Sequence, residues 1–405
     1  MRPFEGRRIL LGITGGIASY KSVMVARLLT QAGSEVDVVM TRAAQEFVGA
    51  ITFEAVTGRR VFTEIFGPGN ALDHIRLARE ASLFVVAPAT ADFLARAAHG
   101  LADDLLTAAL LANTSPVLLV PAMNDRMWAN AQTRQNVHQL RKLGYFVIDP
   151  DDGPLAVGEG SGPGRMREPD EIVAFVGRAL ETRGALAGLR VVVTAGATRE
   201  AIDPVRFISN HSSGKMGIAL AEAAWRRGAD VSLIAGHMDV SAPHGIDVTR
   251  TETVAEMREA VANILPSADV LIMAAAPADF RPASPASQKI KKPGEKSGMP
   301  QPLELTETDD ILRSTFAARK SGAIVVGFAL ETENLLSNSA MKLGEKRLDM
   351  IVANSAVDEG TGFGGDTNRV TILTAGGITE EIAMMKKTEL ADVILDQVEA
   401  LLNGR

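Results

Sequence analysis

Short apolar runs alternate with longer stretches of helical spacing along almost the whole chain. In the first half, runs at residues 9–13, 36–40, 83–87, 117–120 and 145–148 predict strands. Between them, Ser19–Gln31 repeats Val23, Leu28 and Leu29 at helical spacing and stops before Gly33, and residues 130–143 read the same way. A second cycle begins at residues 190–194, after an amphipathic stretch at 170–180 and the small-residue stretch 182–188. Its strands are expected at 230–234, 270–273, 323–328, 350–352 and 370–373, with helices at 215–227, 254–264 and 390–402. Strand–helix alternation of this kind predicts an α/β fold with two Rossmann-like domains, each a mostly parallel sheet with flanking helices. Ligands then bind at the carboxyl ends of the strands. The boundary is expected near residues 184–188, giving domains 1–186 and 187–405. Residues 282–302 carry Lys289, Lys291, Lys292 and Lys296 among prolines and serines, and read as a mobile basic loop.

Composition narrows this picture. A chain of 405 residues exceeds what one core usually supports, and 46% hydrophobic with 22% charged residues is ordinary for a folded soluble protein. The net charge of −7 removes nucleic acid as the default partner. Any bound anion must be met by local lysines, a metal or backbone dipoles. Cysteine is absent, which excludes a disulfide framework, a thiolate zinc site and a cysteine nucleophile. The apolar run after Arg7-Arg8 breaks at Thr14-Gly15-Gly16 and meets Lys21, unlike a signal peptide, and no run of about 18 apolar residues occurs. A cytoplasmic protein without a membrane span is expected.

Three sets of residues carry candidate chemistry. Residues 12–18, Gly-Ile-Thr-Gly-Gly-Ile-Ala, follow a strand and open a helix, so their amides can cradle a phosphate. They lack the third glycine of the dinucleotide fingerprint, and Thr41 stands at the end of strand two where that fingerprint has an acid. A mononucleotide fits better than NAD; a tight turn with no ligand fits the loop equally well. Ala87-Pro-Ala-Thr-Ala91 and Pro121-Ala-Met-Asn124 come after the next strands, with Asp73-His74 ahead of them. Their hydroxyl and amide groups suit a heterocycle edge or a carboxylate, and His74 is either structural or an acid/base. Finally, Ile208-Ser-Asn-His-Ser-Ser-Gly-Lys-Met-Gly217 packs hydroxyls, an amide, glycines and a lysine at a helix start, a segment suited to an anion. It is no Walker loop, because Ser209 and Met216 replace the required Gly and Ser/Thr.

Residues 12–21, His74-Ile75, 87–91, Ala102-Asp-Asp-Leu-Leu106, 121–128 and Gly162-Pro-Gly-Arg-Met166 together resemble the flavin-containing cysteine decarboxylases, notably phosphopantothenoylcysteine decarboxylase. The resemblance implies a flavodoxin-like domain, FMN bound by Gly12, Thr14, Gly15, Gly16, Ile17, Thr41, Pro88, Ala89 and Thr90, and a redox-assisted decarboxylation. It makes His74 the catalytic histidine and has Asn124 grip the departing carboxylate. The family closes a clamp carrying Leu-Ala-Cys-Gly, whose cysteine donates a proton. Here the clamp reads Leu155-Ala-Val-Gly158, and Val157 has no proton to give. Ser161, Glu159 or water remain as donors, or the domain stops at an oxidised enethiol or serves as a flavin-binding scaffold.

In the second half, residues 208–217, Ala274-Ala-Ala-Pro-Ala-Asp279, Lys289-Ile-Lys-Lys292, Asp309-Asp-Ile-Leu312, 327–334, Lys342 with Lys346, 349–354 and Asn368-Arg-Val370 are similar to phosphopantothenate-cysteine ligase. Both resemblances together match the bacterial fusion of these two coenzyme A enzymes. They imply CTP and Mg2+ as well as FMN, with 4′-phosphopantothenate, cysteine and 4′-phosphopantothenoylcysteine as the small molecules handled. A carboxylate approaching a triphosphate of about −4 charge is repelled unless cations intervene. The resemblance assigns Asp279 to metal and nucleotide, Lys289 to the α-phosphate region and Asn210 to the acyl-cytidylate. It assigns CTP binding to Ala274, Ala275, Asp309, Asp310, Ile311, Leu312, Phe328, Lys342 and Lys346. On their own, Lys342 and Lys346 also fit a solvated helix face and Phe328 a core position. The family further implies a homo-oligomer with a trimeric decarboxylase and a dimeric ligase, compatible with a dodecamer.

Overall fold

The computed structural model describes residues 2–67, 69–155, 158, 160–181, 184–243, 245–291, 302–355 and 364–404. Val157, Glu159 and Lys292 lie outside the described residues. The chain divides into two compact units, Met1–Thr182 and Arg183–Arg405. Among the described residues no helix is long and apolar enough to cross a membrane.

In the first unit β1 (Arg8–Ile13), β2 (Glu35–Met40), β3 (Val61–Phe62), β4 (Leu83–Ala89), β5 (Val117–Pro121) and β6 (Phe146–Val147) form a parallel sheet in the order β3-β2-β1-β4-β5-β6. Successive side chains leave a strand on opposite faces. Ile9, Leu11 and Ile13 accordingly pack with Val25 and Leu29 of the helix Ser19–Gln31 and with Ile172 and Val176 of the helix Pro169–Glu181. Leu10, Phe84 and Val86 pack with Phe93, Leu94 and Leu106 on the other face. With both faces covered, β1 must be apolar at nearly every position, which is why it reads as an unbroken run. Each such buried Leu, Ile or Phe contributes about 1.5–3 kcal/mol by leaving water. An antiparallel hairpin, β7 (Asp151–Pro154) and β8 (Ser161–Arg165), comes after the sheet. Its strands consist of Gly, Pro, Ser and charged residues, so hydrophobic alternation gave no sign of it.

The second unit begins with β9 (Arg190–Ala195) and the hairpin β10 (Arg199–Ala201) with β11 (Phe207–Ser209). It continues through β12 (Asp230–Ala235), β13 (Asp247–Arg250), β14 (Val270–Met273), the hairpin β15 (Phe280–Pro282) with β16 (Leu305–Glu307), β17 (Ile324–Glu331), β18 (Met350–Ser355), β19 (Thr367–Thr374) and β20 (Thr379–Lys386). The main sheet runs β13-β12-β9-β14-β17-β18-β19-β20, parallel as far as β18 and antiparallel at β19 and β20. The mostly parallel α/β architecture expected from the sequence is thus present in both units. Two edge strands escaped the apolar pattern because they are half solvated: β20 buries Ile382 among exposed neighbours, and no residue of β13 is fully buried.

Candidate functional site

In the first sheet the strand order reverses between β1 and β4, so the loops leaving these strands diverge and open a crevice. Thr14 spans its floor. The Thr14 hydroxyl donates to the Pro88 carbonyl at 2.8 Å and accepts from the Thr90 amide at 3.1 Å. Ser22 donates to the Ala87 carbonyl at 2.6 Å, tying the next helix to the same loop. Gly15 lies so close to residue 43 that a Cβ there would stand 2.4 Å from the Ala43 Cβ and 2.9 Å from its carbonyl oxygen. Two clefts, of about 440 and 600 Å3, share Gly15, Thr90, Ala91 and Met127 as walls. The smaller adds Gly16, Ile17, Tyr20 and Asn124, and the larger adds Thr14, Thr41 and Arg42. A planar ring system on one side and an anion near Arg42 on the other fit this division.

Asn124 caps the helix Asp125–Ala129: its Oδ1 accepts from the Arg126 amide at 2.9 Å, which leaves the side-chain N–H groups to donate elsewhere. Strand β8 passes directly over this turn, with the Met123 amide donating to the Gly164 carbonyl at 3.0 Å. The base of the hairpin is anchored by Lys21, which lines the smaller cleft. Its buried Nζ donates to the Met166 carbonyl at 2.8 Å and to Glu168 at 3.0 Å. The hydrogen bond from Lys21 holds the Glu168 carboxyl below its usual range.

Three expected cofactor residues sit behind the clefts instead of lining them. Gly12 belongs to β1, where a Cβ would meet the Leu106 side chain at 2.4 Å, so its missing side chain serves packing. Ala89 is fully buried, and Pro88 contributes the carbonyl that Thr14 grips. His74 lines neither cleft. It stands in the first turn of the helix Asp73–Glu80, and its Nδ1 is buried without a hydrogen-bond partner, as is Oδ2 of Asp73. An unpartnered buried polar atom of this kind costs about 1–3 kcal/mol unless something satisfies it. Arg42 is a cleft residue outside the motifs read from the sequence, and Tyr20, Lys21 and Met127 fall within the motifs 12–21 and 121–128 but were given no role; each lies within one turn of a strand-end loop, the signal that could have found them.

In the second sheet the order reverses between β9 and β14. The Thr194 hydroxyl accepts from the Ala275 amide at 3.1 Å, and the Thr198 hydroxyl accepts from the Ala278 amide at 2.9 Å. Two adjoining clefts, of about 390 and 580 Å3, share Ala275, Pro277, Asp279, Phe328 and Lys346. The smaller is closed by Asp309, Asp310, Ile311 and Leu312, and the larger by Asn210, Lys215, Ala274, Lys342 and Lys387. Asn210 is fixed by donating to the Pro277 carbonyl at 2.8 Å. Lys342 donates to Glu331 at 2.7 Å, Lys346 pairs with Asp310 at 2.9 Å, and Lys215 pairs with Asp366 at 2.7 Å. Burial opposes the ionisation of Glu331 and Asp310, yet their lysine partners hold both carboxyls below the usual range. The expected residues therefore converge, with one exception. Lys289 is exposed and lines neither cleft. Its neighbour Ile290 is pinned at both ends, the amide donating to Asp203 at 3.0 Å and the carbonyl accepting from Arg206 at 2.8 Å.

Two family models match the chain, one after the other. The family described as Flavoprotein matches residues 2–181, and the DNA/pantothenate metabolism flavoprotein C-terminal domain matches residues 186–402. The Coenzyme A biosynthesis bifunctional protein CoaBC of Mycobacterium bovis is 45% identical over 412 residues, covering 98% of this chain and 97% of its own length. Its counterpart in Bacillus subtilis is 44% identical over 402 residues, covering 98% of each. A crystal structure of the C-terminal domain of such a bifunctional protein is 37% identical, with a TM-score of 0.46, covering 55% of this chain and 100% of that one.

Proposed function

The chain belongs to the family of bifunctional coenzyme A biosynthesis proteins and is an enzyme of two consecutive steps, a ligase and a flavoprotein decarboxylase, and we propose that residues 187–405 perform the ligation and residues 1–186 the decarboxylation. The observation that supports this division is the chemistry of the two linings. The second crevice gathers Lys215, Lys342, Lys346 and Lys387 with Asp279, whereas the first sets Asn124, threonines and glycines beside Ile17, Met123 and Met127. The cations of its smaller cleft, Lys21 and Arg165, are both paired with Glu168, and Arg42 and Arg96 line only the larger one.

Ligation of cysteine to 4′-phosphopantothenate needs an activated carboxyl, and CTP supplies it as an acyl-cytidylate. The nucleotide's negative charge must be neutralised before a second anion can approach. Lys342 and Lys346 do this by exchanging Glu331 and Asp310 for phosphate oxygens, and Lys289 reaches the α-phosphate from its pinned loop. The backbone of residues 309–312 reads the cytosine edge, with Phe328 and Ala274–Ala275 forming the walls. Asn210 holds the acyl-cytidylate. Among the described residues no group of three or more acidic or histidine side chains could hold an ion alone. Asp279, which lines both clefts, would hold a Mg2+ ion there, and the ion would supply positive charge against the phosphates.

In the first unit Thr14, Gly15, Gly16, Ile17, Thr41 and Thr90 hold FMN, with Gly12, Pro88 and Ala89 shaping the floor beneath. The fit rests on the cradle: Gly15 is held against Ala43 with no room for a side chain, and Gly16 beside it borders the cleft in open space, so the loop presents its backbone to a ligand. A bound flavin supplies the two-electron acceptor that such a decarboxylation requires. Asn124 donates its free amide hydrogens to the substrate carboxylate, and His74 moves the proton. That His74 lines neither cleft of its own chain favours an active site shared between subunits of a homo-oligomer, trimeric at this unit and dimeric at the ligase. The clamp proton then comes from Ser161, which is exposed on β8, from Glu159 or from water. The test is a staged assay: pyrophosphate release from CTP with 4′-phosphopantothenate and cysteine, then CO2 release, with the product's mass. Saturated 4′-phosphopantetheine is expected; an accumulating enethiol would limit the first unit to oxidative decarboxylation, and absent CO2 release would make it a scaffold.

A further inference from the structure

Four lysines line the larger cleft of the second unit, and they are not alike. Lys215, Lys342 and Lys346 each have a carboxylate partner within 3 Å. Lys387 has none among the described residues, although it is only 9% exposed. An ammonium taken from water without a partner is costly, and such groups are normally paired. Burial, and then the neighbouring charge of Lys215, push the Lys387 ammonium below its usual pKa, opposed by Asp366. The fold thus holds two cations near each other at one end of a cavity, with the exposed carboxylate of Asp366 acting on both.

The backbone adds to this concentration of positive charge. Lys215 and Lys387 are the first residues of the helices Lys215–Arg226 and Lys387–Asn403, so two helix N-termini meet the same end of the cleft. No side chain caps the first of these helices, and its first turn contains no acidic residue. Its leading amides are therefore available to an acceptor, with the helix dipole favouring negative charge. Ser212 and Ser213 stand on the approach. A compact dianion with three oxygens would satisfy the buried ammonium and the open amides together.

We infer that Lys387, with Lys215 and the amides opening the helix Lys215–Arg226, forms the subsite for the phosphomonoester end of the acid substrate, separate from the lysines that receive the nucleotide. This rests on the ligase reading of the second unit. Lys342 and Lys346 come from the helix Leu335–Glu345 and its C-cap, and Lys346 also lines the cleft closed by residues 309–312, the side that suits CTP. The acid's carboxyl must meet the α-phosphate there, so its phosphate must lie at the opposite end of the molecule. Lys387 is then a specificity residue: it makes the enzyme choose a phosphorylated pantothenate over pantothenate itself.

The experiment compares full-length, flavin-loaded wild type with Lys387→Met and Lys387→Arg, monitoring CTP-dependent pyrophosphate release. Lys387→Met is expected to raise the KM for 4′-phosphopantothenate roughly 10- to 100-fold, the loss of one charge-assisted contact. The KM for CTP should stay within about 2-fold and activity on pantothenate should not fall further, while the arginine variant recovers most of the loss. A rise in the KM for CTP, or equal losses on pantothenate and its phosphate, would overturn the assignment. Should the methionine variant misfold, labelling of Lys387 in wild type with an amine reagent decides. Protection by 4′-phosphopantothenate but not by pantothenate or CTP is expected, and protection by CTP alone or by none of the three overturns it. Wild type that releases no pyrophosphate would sink the ligase reading itself, a result distinct from either.

Discussion

The two units repeat one wiring and put it to different uses. Taking the main-sheet strands of each in chain order, both run three, two, one, four, five, six, and the second adds an antiparallel pair. Each reverses between its first and fourth strands, and each bridges that gap with a threonine hydroxyl. Thr14 accepts from the Thr90 amide at 3.1 Å, and Thr194 accepts from the Ala275 amide at 3.1 Å. The units part company just after the first strand. In the first, residues 14–18 lead straight into a helix, so the backbone itself is the wall of the crevice. In the second, residues 196–214 intervene and build the hairpin β10–β11, which brings Asn210 to the cleft and pins the loop before Lys291. Topology fixes where a ligand can bind. Loop length decides whether backbone amides and glycines or long cationic side chains meet it.

If the crevices are chemically independent, substitutions should separate the two activities cleanly. The largest effect is expected from His74→Asn, which removes the titratable group at similar volume. CO2 release from 4′-phosphopantothenoylcysteine should fall about a hundred- to ten-thousand-fold, the usual span for a general acid or base. Flavin absorbance and pyrophosphate release from CTP should be unchanged. Lys289→Gln is the mirror image: acyl-cytidylate formation should drop about a hundred- to a thousand-fold, as for loss of one transition-state cation, with CO2 release from supplied intermediate intact. Asn210→Asp should instead impair the step after activation, by placing a charge beside an anionic acyl phosphate. A single variant that silences both assays would break the comparison.

The glycine loop offers a sharper test within the first unit, because neighbouring glycines differ. A Cβ at position 15 collides with Ala43, whereas one at position 16 meets no described residue nearer than 3.8 Å, at Thr90 Cγ2. Gly15→Ala should therefore lower the stability of flavin-free protein by about 1–3 kcal/mol, the usual cost of overpacking, and Gly16→Ala should leave it unchanged in thermal unfolding. Equal effects would mean that the loop is not held against residues 42–46.

These contrasts also explain what the sequence could and could not reveal. The covered strands were legible because burial on both faces forces apolar runs, and the helix Ser19–Gln31 was legible from Val23, Leu28 and Leu29, although of these only Leu29 is fully buried and Val25 completes the face toward the sheet. Strand-end loops followed from that alternation, which is how Thr14, Thr90 and Asn124 became candidates; Asn210 came from the hydroxyl- and glycine-rich segment 208–217, and Asp279 only from the resemblance to the ligase. The hairpins could not be anticipated, since Gly153, Gly162 and Gly164 carry no pattern and their pairing is long-range. Nor could sequence separate Gly15, which lines the crevice, from Gly12, which faces Leu106. Lys387 escaped for a related reason. In the chain it stands next to Lys386 and looks like half of an ordinary solvated pair; its burial beside Lys215 depends on two helices far apart in sequence.

A smaller effect is expected at the hairpin that distinguishes the second unit. Hydrogen bonds from the Arg206 side chain, with those from the amides of Ile290, Val205 and Arg206, hold the Asp203 carboxyl far below its usual range, against the effect of burial. A carboxyl whose folded pKa lies below its unfolded value of about 4 contributes stability above that pH and loses it as the pH falls through the folded value. Asp203→Asn should accordingly lower the melting temperature of the second unit at pH 7, and the gap to wild type should narrow below about pH 4. The variant should also raise the KM for CTP, because Ile290 and with it Lys289 lose their anchor. A constant gap across pH would mean that the pair does not titrate with folding.

The smallest change expected concerns the first unit's clamp, where Val157 stands in place of the family's cysteine. Family membership favours the complete reaction, so some other group already delivers the proton that valine cannot. A general acid works best when its pKa lies near the working pH. Ser161 is a much weaker acid than a thiol and Glu159 a much stronger one, so either is a poorer match than cysteine at neutral pH. Val157→Cys should therefore speed the return of the reduced flavin to its oxidised colour only a few-fold, roughly, without changing the product, because it adds a better donor to a route that exists. Stopped-flow absorbance during turnover of 4′-phosphopantothenoylcysteine measures this directly, and Ser161→Ala identifies the resident donor by slowing the same phase in wild type. A change of product from enethiol to saturated thiol on restoring the cysteine would be the contrary result: the first unit would then complete only half of its reaction, and the symmetry of two full enzymes on one wiring would fail.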